Sequence, residues 1–299
     1  MSTAVPPPAI TAIPRGLSRA GLVGRRFRRS GVGMSGLIGL ALLVALAVLV
    51  PPLWPWQPAD IDAQAFLAPP SATHLWGTTQ AGRDVLALTA SGLGKSLLIG
   101  VLVAVLSTGF AAVVGASAAY LGGWYERVML WVIDLMLVIP AFFLIAIVSR
   151  SSDASIWLLV TLLAAFAWPL SARVVRSTAL SLREREYVLA ARYLGVPAWQ
   201  VITRHLLPNA SSLLIIDATL GVGYAVLSET GLSFFGFGVQ PPDVSLGTLI
   251  SAGAALMVGY PWVFVAPSLT LVALVLCINA IGDGLRDAMD AGASLGGHR

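Results

Sequence analysis

Long apolar runs, each about twenty residues and nearly free of charge, alternate along this chain with short segments that hold most of its ionisable groups. Runs of that length predict membrane-crossing helices, because hydrocarbon offers no partner for exposed backbone N–H and C=O groups. Six spans are predicted, at about Gly33–Leu53, Ser96–Ala119, Val128–Val148, Ser155–Leu170 (extending towards Arg173), Ser211–Phe234 and Trp262–Ile281. Between Val244 and Ile281 lie 38 residues without a charge. One helix of that length would reach roughly 57 Å against a hydrocarbon core of ~30 Å, so it has to break. Gly247, Gly253, Gly259 and Pro261 offer places, leaving a short helix that lies on or dips into the outer face before the sixth span. The expected fold is an all-α integral membrane protein with six transmembrane helices.

Composition agrees with this pattern. Only 11% of the 299 residues are charged and 57% are hydrophobic, whereas a soluble domain carries roughly 25% charged residues. The chain is basic, with a pI near 9.6, but its arginines cluster at the ends of apolar runs and form no stripe along one face. That placement sets topology and argues against a nucleic-acid partner. With both termini inside, 15 Lys and Arg fall on the cytoplasmic side and three (Arg83, Lys95 and Arg150) on the outer side. The resulting plan is a cytoplasmic tail over 1–30, a first transmembrane helix over 31–54 and an extracytoplasmic segment over 55–95. A core of five further spans follows over 96–282, with a cytoplasmic loop at 181–208 and an outer loop at 235–261, and a cytoplasmic tail at 283–299 closes the chain. Residues 1–20, rich in Pro, Ala and Thr, read as disordered. Ala63-Gln64-Ala65 imitates a signal-peptidase site but lies too far beyond the first apolar run, so the first span is retained. The single cysteine, Cys277, can form no intrachain disulfide.

The most informative segment is the loop between the fourth and fifth spans, where residues 186–208 read EYVLAARYLGVPAWQVITRHLLP. Ser181 stands three residues before Glu184, the spacing of a capping box, and Glu184 and Glu186 fall where a helix dipole favours negative charge. Gly195 suits a left-handed helix end and Pro197 the first turn of the next helix, which runs to Leu207 before Pro208 stops it. The predicted unit is a helix–turn–helix. Ala190 and Ala191 keep one face small, so a partner surface could close over it. The bland alternatives are an ordinary amphipathic loop or a DNA-type helix-turn-helix. Attachment to a spanning helix at each end argues against the second.

At these residues the chain resembles the permease subunits of ABC importers, whose loop signature is E-A-A-x3-G-x9-I-x-L-P. Ala190, Ala191, Gly195, Leu207 and Pro208 match in register, while Leu189 replaces the Glu and His205 the Ile. Glu186, one turn before Leu189, offers a carboxylate on nearly the same face. The form E-Y-V-x-A-A-R-x-x-G…H-x-L-P-N is similar to the peptide and nickel branch. Residues 77–84, GTTQAGRD, resemble that branch's G-T-D-x-x-G-R-D, with Thr79 in place of Asp. Residues 232–242, LSFFGFGVQPP, resemble its outer loop, and 282–287, GDGLRD, its C-terminal end. Together they cover most of the chain from about residue 25 and are similar to the "C"-type permease of oligopeptide or dipeptide systems. The resemblance implies the permease fold of the type I ABC importers and a bacterial inner membrane. It further implies pairing with a homologous permease, two cytoplasmic ATP-binding subunits that use ATP and Mg, and an extracytoplasmic peptide-binding protein. In that case Glu186, Ala190, Ala191, Gly195, Leu207 and Pro208 form the ATPase-coupling element.

No catalytic or cofactor motif competes with this reading. Gly92-Leu93-Gly94-Lys95-Ser96 ends like a phosphate-binding loop, but Thr89 stands where that loop needs its first Gly. His74, His205 and His298 lie in separate segments and suggest no metal cluster. Asp134, Asp217 and Glu229 lie inside apolar spans, where carboxylates are costly and face a partner or a watery path. Arg173 and Arg176, at the inner end of the fourth span, are candidate counter-charges for Asp134 and Asp217. Glu229, near the outer end of the fifth, is the better candidate for exposure to the path. The rivals are a nickel importer permease of the same branch, an ion-coupled secondary transporter using these three carboxylates, and a membrane-embedded enzyme. The sequence shows neither the internal repeat common in the second nor a catalytic constellation for the third.

Overall fold

The computed structural model describes residues 19–151 and 155–293. The tail expected over 1–20, as far as residue 18, the end of the C-terminal tail beyond residue 293, and His298 lie outside them. Among the described residues the secondary structure is helical, with one isolated β-bridge between Thr78 and Asp84. A short helix α1 (Arg19–Phe27) precedes α2 (Gly31–Leu53), which Ser30 opens by accepting the Gly33 N–H. Among the described residues five helices are long and apolar enough to cross a membrane, and a bent pair makes a sixth span if it is counted as one.

The organising element is α3 (Val85–Leu121), whose 37 residues reach roughly 55 Å. Its N-cap is Asp84, which accepts the Ala87 N–H at 2.8 Å. The helix therefore begins eleven residues before the predicted start at Ser96, and the segment assigned to an extracytoplasmic loop up to residue 95 is helical from Val85. Thr89 and Lys95 hid this in the sequence. Thr89 and Ser96 are buried, and the Thr89 hydroxyl is satisfied by the Val85 carbonyl.

The predicted third span is broken. α4 (Gly123–Val138) and α5 (Ala141–Ser151) meet at 75°. Pro140 disfavours helical backbone at the residue before it, and Ile139 is extended with ψ 126°. α6 (Ile156–Arg183) outlasts its predicted end, and Arg183 donates to the Ala119 carbonyl in the last turn of α3. The sequence left the end of that helix open near Arg173. α3 and α6 pack through small residues, so closely that a Cβ on Gly115 would lie 2.6 Å from the Ala172 carbonyl oxygen.

Beyond α6 comes a compact unit here termed the knuckle, with α7 (Glu186–Tyr193), α8 (Ala198–Val201), a π-helical turn (Ile202–Leu206) and α9 (Leu207–Asn209). It leads directly into α10 (Ser211–Phe234), whose bounds coincide with the predicted fifth span. The charge-free stretch breaks as required into α11 (Leu246–Ala254) and α12 (Pro261–Ala293). Ser245 and Thr248 form a capping box at the start of α11, and the break falls at 255–260, near Gly259 and Pro261. α12 runs well past the predicted end at Ile281. It crosses α2 at Gly33 and Gly284, where a Cβ on Gly284 would sit 2.6 Å from the Gly33 Cα.

The opposite end of the bundle carries the crown, residues 54–84. Gly77 and Gly82 have positive φ, and a Cβ on Gly82 would lie 2.4 Å from the Asp62 carbonyl oxygen. Asp62 N–H bonds to the Gly82 carbonyl, Val85 N–H to the Gly77 carbonyl, and Trp262 Nε1 to the Thr78 carbonyl at 3.2 Å. The GTTQAGRD segment is thus the knot that starts α3 and fastens it to α12.

Candidate functional site

The knuckle is built around its own small core. Val188, Ala191, Val201 and Leu206 are buried together, with Leu182 of α6 and Tyr120 of α3 packed against them. α7 ends in a Schellman motif, in which Gly195 N–H donates to the Arg192 carbonyl and Val196 N–H to the Ala191 carbonyl, both at 3.1 Å. Gly195 has φ 74°, the left-handed conformation that its position requires.

Three local expectations need correction. Ser181 is no cap: α6 continues to Arg183, and the Ser181 hydroxyl donates to the Thr178 carbonyl. Glu184 then falls at the C-cap of α6, and α7 begins at Glu186, which does lie in the first turn. The second helix does not run unbroken to Leu207, because residues 202–206 widen into a π turn in which Leu207 N–H reaches the Ile202 carbonyl. Pro208 does not end it either. Proline has no N–H to return to the chain, and next to it Asn209 donates its side-chain amide to the His205 carbonyl at 2.6 Å. The Leu-Pro-Asn string thus carries the chain through the π turn towards α10.

The two alanines face opposite ways, since Ala191 is buried in the knuckle core and Ala190 is exposed. Glu186, Gly195 and Pro208 are exposed and Leu207 is half-buried. The sequence reading missed the residues that dominate this surface. Tyr193 is 87% exposed, Leu194 83% and Trp199 61%. Three large apolar side chains are thus exposed on one small unit, which is a mark of an interaction surface. Their signal was the dipeptide Tyr-Leu just before the helix-ending Gly195 and a Trp just after Pro197.

Within the spans, polar groups find one another. Arg173 pairs with Asp134, and both side chains are about half exposed. Arg176 does not serve Asp217. It pairs with Glu126, donating from Nε at 2.8 Å. Asp217 instead accepts the hydroxyls of Thr108 at 2.7 Å and Ser171 at 2.8 Å, which ties α10 to α3 and α6.

Glu229 is not open to a path, as the sequence suggested, but completely buried. Its carboxyl accepts from Ser96 at 2.9 Å and from Ser233 at 2.6 Å. Those two hydroxyls in turn accept the backbone N–H groups of Leu246 and Val239. The carboxyl therefore bolts α10 to α3 and to the loop leading into α11. Ser233, one turn after Glu229, was the local clue, whereas Ser96 lies too far away in sequence to be found. Lys95 pairs with Asp243 of the same loop.

In the crown, His74 is buried and its Nδ1 donates to Asp84 at 2.8 Å, with Nε2 3.4 Å from Asp62. Asp84 thus holds both His74 and the start of α3. The Gln64 backbone N–H, and after it the His74 side chain, keep the Asp62 carboxyl below its ordinary pKa. Trp56 stacks on His74 with centroids 4.6 Å apart. Among the described residues no group of three or more His, Cys, Asp or Glu is arranged to hold a metal.

Comparison with known proteins places this geometry. Residues 111–294 match the family described as binding-protein-dependent transport system inner membrane component. Residues 18–70 match the N-terminal TM domain of oligopeptide transport permease C. The chain is 53% identical over 275 residues to the oligopeptide transport system permease protein OppC of Mycobacterium tuberculosis, covering 91% of this chain and 94% of that one. It is 41% identical over 266 residues to a putative peptide permease protein of Brucella suis, covering 87% and 88%. Against OppC of Haemophilus influenzae it is 37% identical over 268 residues, covering 89% and 86%.

Proposed function

The chain belongs to the family of binding-protein-dependent transport system inner membrane components, and from that premise we propose that it is a permease subunit of an ATP-driven importer of oligopeptides or dipeptides. It forms half of the translocation pathway beside a homologous permease. Two ATP-binding subunits, which use ATP and Mg, grip the knuckle from the cytoplasm, and an extracytoplasmic peptide-binding protein delivers substrate at the crown. Both termini then lie in the cytoplasm, which agrees with the distribution of arginines. ATP hydrolysis belongs to the partner subunits, and this chain contributes motion and a pathway.

One observation carries the coupling role: Tyr193, Leu194 and Trp199 are exposed on a unit that packs its own core and is fixed at both ends to spanning helices. Closure of the ATP-binding subunits displaces that unit. α6 and α10, which enter and leave it, turn the displacement into a switch of access from outside to inside. Glu186 presents a free carboxylate at the start of α7, and Gly195 fixes the angle at which Leu194 and Trp199 project.

The test is purification of the assembled transporter with a tag on this chain. Replacing Tyr193, Leu194 and Trp199 together by Ala should abolish co-purification of the ATP-binding subunits and reduce ATP-dependent peptide uptake at least tenfold. Bulky replacements at Ala191 and Gly195 should act the same way. If both sets leave assembly and uptake intact, the coupling assignment is wrong.

A further inference from the structure

The Asp134–Arg173 pair lies in an unusual place. Trp124 at the start of α4 and Trp157 at the start of α6 are 73% and 69% exposed, as aromatic side chains at a membrane interface are. Asp134 is ten residues beyond Trp124, about 15 Å along the helix, and Arg173 is sixteen beyond Trp157, about 24 Å. Against a hydrocarbon core of ~30 Å, both side chains fall at membrane depth. Yet the Asp134 side chain is 58% exposed and that of Arg173 is 46% exposed. An exposed carboxylate at that depth does not face lipid. It faces water or protein.

The surroundings continue the same face. On α6, Phe166, Leu170 and Arg173 recur at helical spacing, and Leu170 is 64% exposed. Phe166 lines a cleft of about 300 Å³ between α5, α6 and α10, together with Phe142, Tyr224 and Ser228. On α10, Asp217 lies seven residues before Tyr224 and so on nearly the same side of the helix. An aromatic cleft towards the crown thus passes into charged and hydroxyl-bearing groups towards the knuckle.

Resting on the peptide-importer reading, we propose that Asp134 and Arg173 form a waystation in the inner half of the pathway, for the charged termini of the peptide. A free peptide carries one ammonium and one carboxylate. Asp134 accepts the ammonium, and the planar guanidinium of Arg173 holds the carboxylate through two parallel N–H donors. Between substrates the two side chains satisfy each other. Binding therefore exchanges one ion pair for two and release reverses it, which leaves no charge bare at membrane depth. The step involves no covalent change.

The test uses the whole transporter. Cys277 is the single cysteine of this chain, so Cys277→Ser gives a background in which Asp134→Cys or Leu170→Cys reports access to a membrane-impermeant thiol reagent, read on the separated subunit. Both positions should label, with rates differing at least fivefold between nucleotide-free and ATP-trapped complexes, and dipeptide in excess should protect. The double variant Asp134→Asn/Arg173→Gln should lower uptake of free peptides about tenfold while leaving N-acetylated, C-amidated peptides at the wild-type rate. Absence of labelling at Leu170→Cys in every state overturns the proposal, even if the variants at 134 fail to assemble. So does a double variant that lowers uptake of free and of N-acetylated, C-amidated peptides by the same factor, since a purely structural pair is blind to the termini. A wild-type complex that imports no peptide would instead sink the functional reading on which the proposal rests.

Discussion

The crown and the knuckle stand at opposite ends of one bundle and are built on opposite principles. In the crown a small cluster of polar groups faces inward. His74 and Asp84 are buried against each other, the chain is knotted through Gly77 and Gly82, and the buried Glu229 fastens the same end from within. In the knuckle the core is four side chains deep and the large apolar residues face out. The crown is fastened by its buried polar contacts even though Ile61, Phe66 and Leu75 are exposed on it, whereas the knuckle has only a small apolar core beneath the more exposed Tyr193, Leu194 and Trp199.

The largest effect is expected at the bolt. Glu229→Ala leaves a void and removes the acceptor of the Ser96 and Ser233 hydroxyls, and should cost ~3 kcal/mol or more. Thermal unfolding of the purified complex measures this, and a variant as stable as wild type would contradict it. Gly82→Ala places a Cβ 2.4 Å from the Asp62 carbonyl oxygen at φ 68°. It should destabilise the crown by ~2–4 kcal/mol through strain and displacement of the knot, read as faster proteolysis between residues 54 and 84.

At the knuckle the expectation reverses in kind. Gly195→Ala meets no neighbouring atom, so its cost is the left-handed backbone alone, ~1–2 kcal/mol, seen as increased hydrogen exchange in α7. Trp199→Ala should change the stability of the isolated chain by less than ~0.5 kcal/mol, as expected of an exposed side chain, while weakening retention of the ATP-binding subunits. A large loss of stability in the isolated chain would show that Trp199 packs at home.

The smallest effect is the dependence of the crown on acid. The depressed pKa of Asp62 means that its contribution is present above its ordinary value of 3.8 and is lost as pH falls through the lower folded value. Trp56 fluorescence should therefore change below about pH 4, and Asp62→Asn should remove that step.

The spans were legible because hydrocarbon imposes one rule on every residue of a run. Ser211–Phe234 was delimited by the sequence alone, and the charge-free stretch had to break at one of four places, of which Gly259 and Pro261 mark the junction of α11 and α12. The bend at Ile139–Pro140 was visible as a proline within an apolar run, but hydropathy outweighed it. The start of α3 was hidden because Thr89 and Lys95 read as loop residues, although Thr89 bonds within the helix and Lys95 pairs with the distant Asp243. The site residues divide along the same line. Gly195 could be assigned from local backbone chemistry. The environment of Glu229 could not, because Ser96 lies on a helix 133 residues away. Nor could Arg176 be matched to Glu126 over Asp217, since register between distant helices is settled only by packing.

The joint between the knuckle and α10 is a single residue, Ala210. A connection that short has no slack in which a displacement could be absorbed. Whatever rotates the knuckle turns the helix that carries Asp217 and Tyr224, and at its far end Glu229, which is anchored. A displacement of the knuckle would therefore pivot α10 about a fixed tip, with the greatest travel at the end nearest the knuckle.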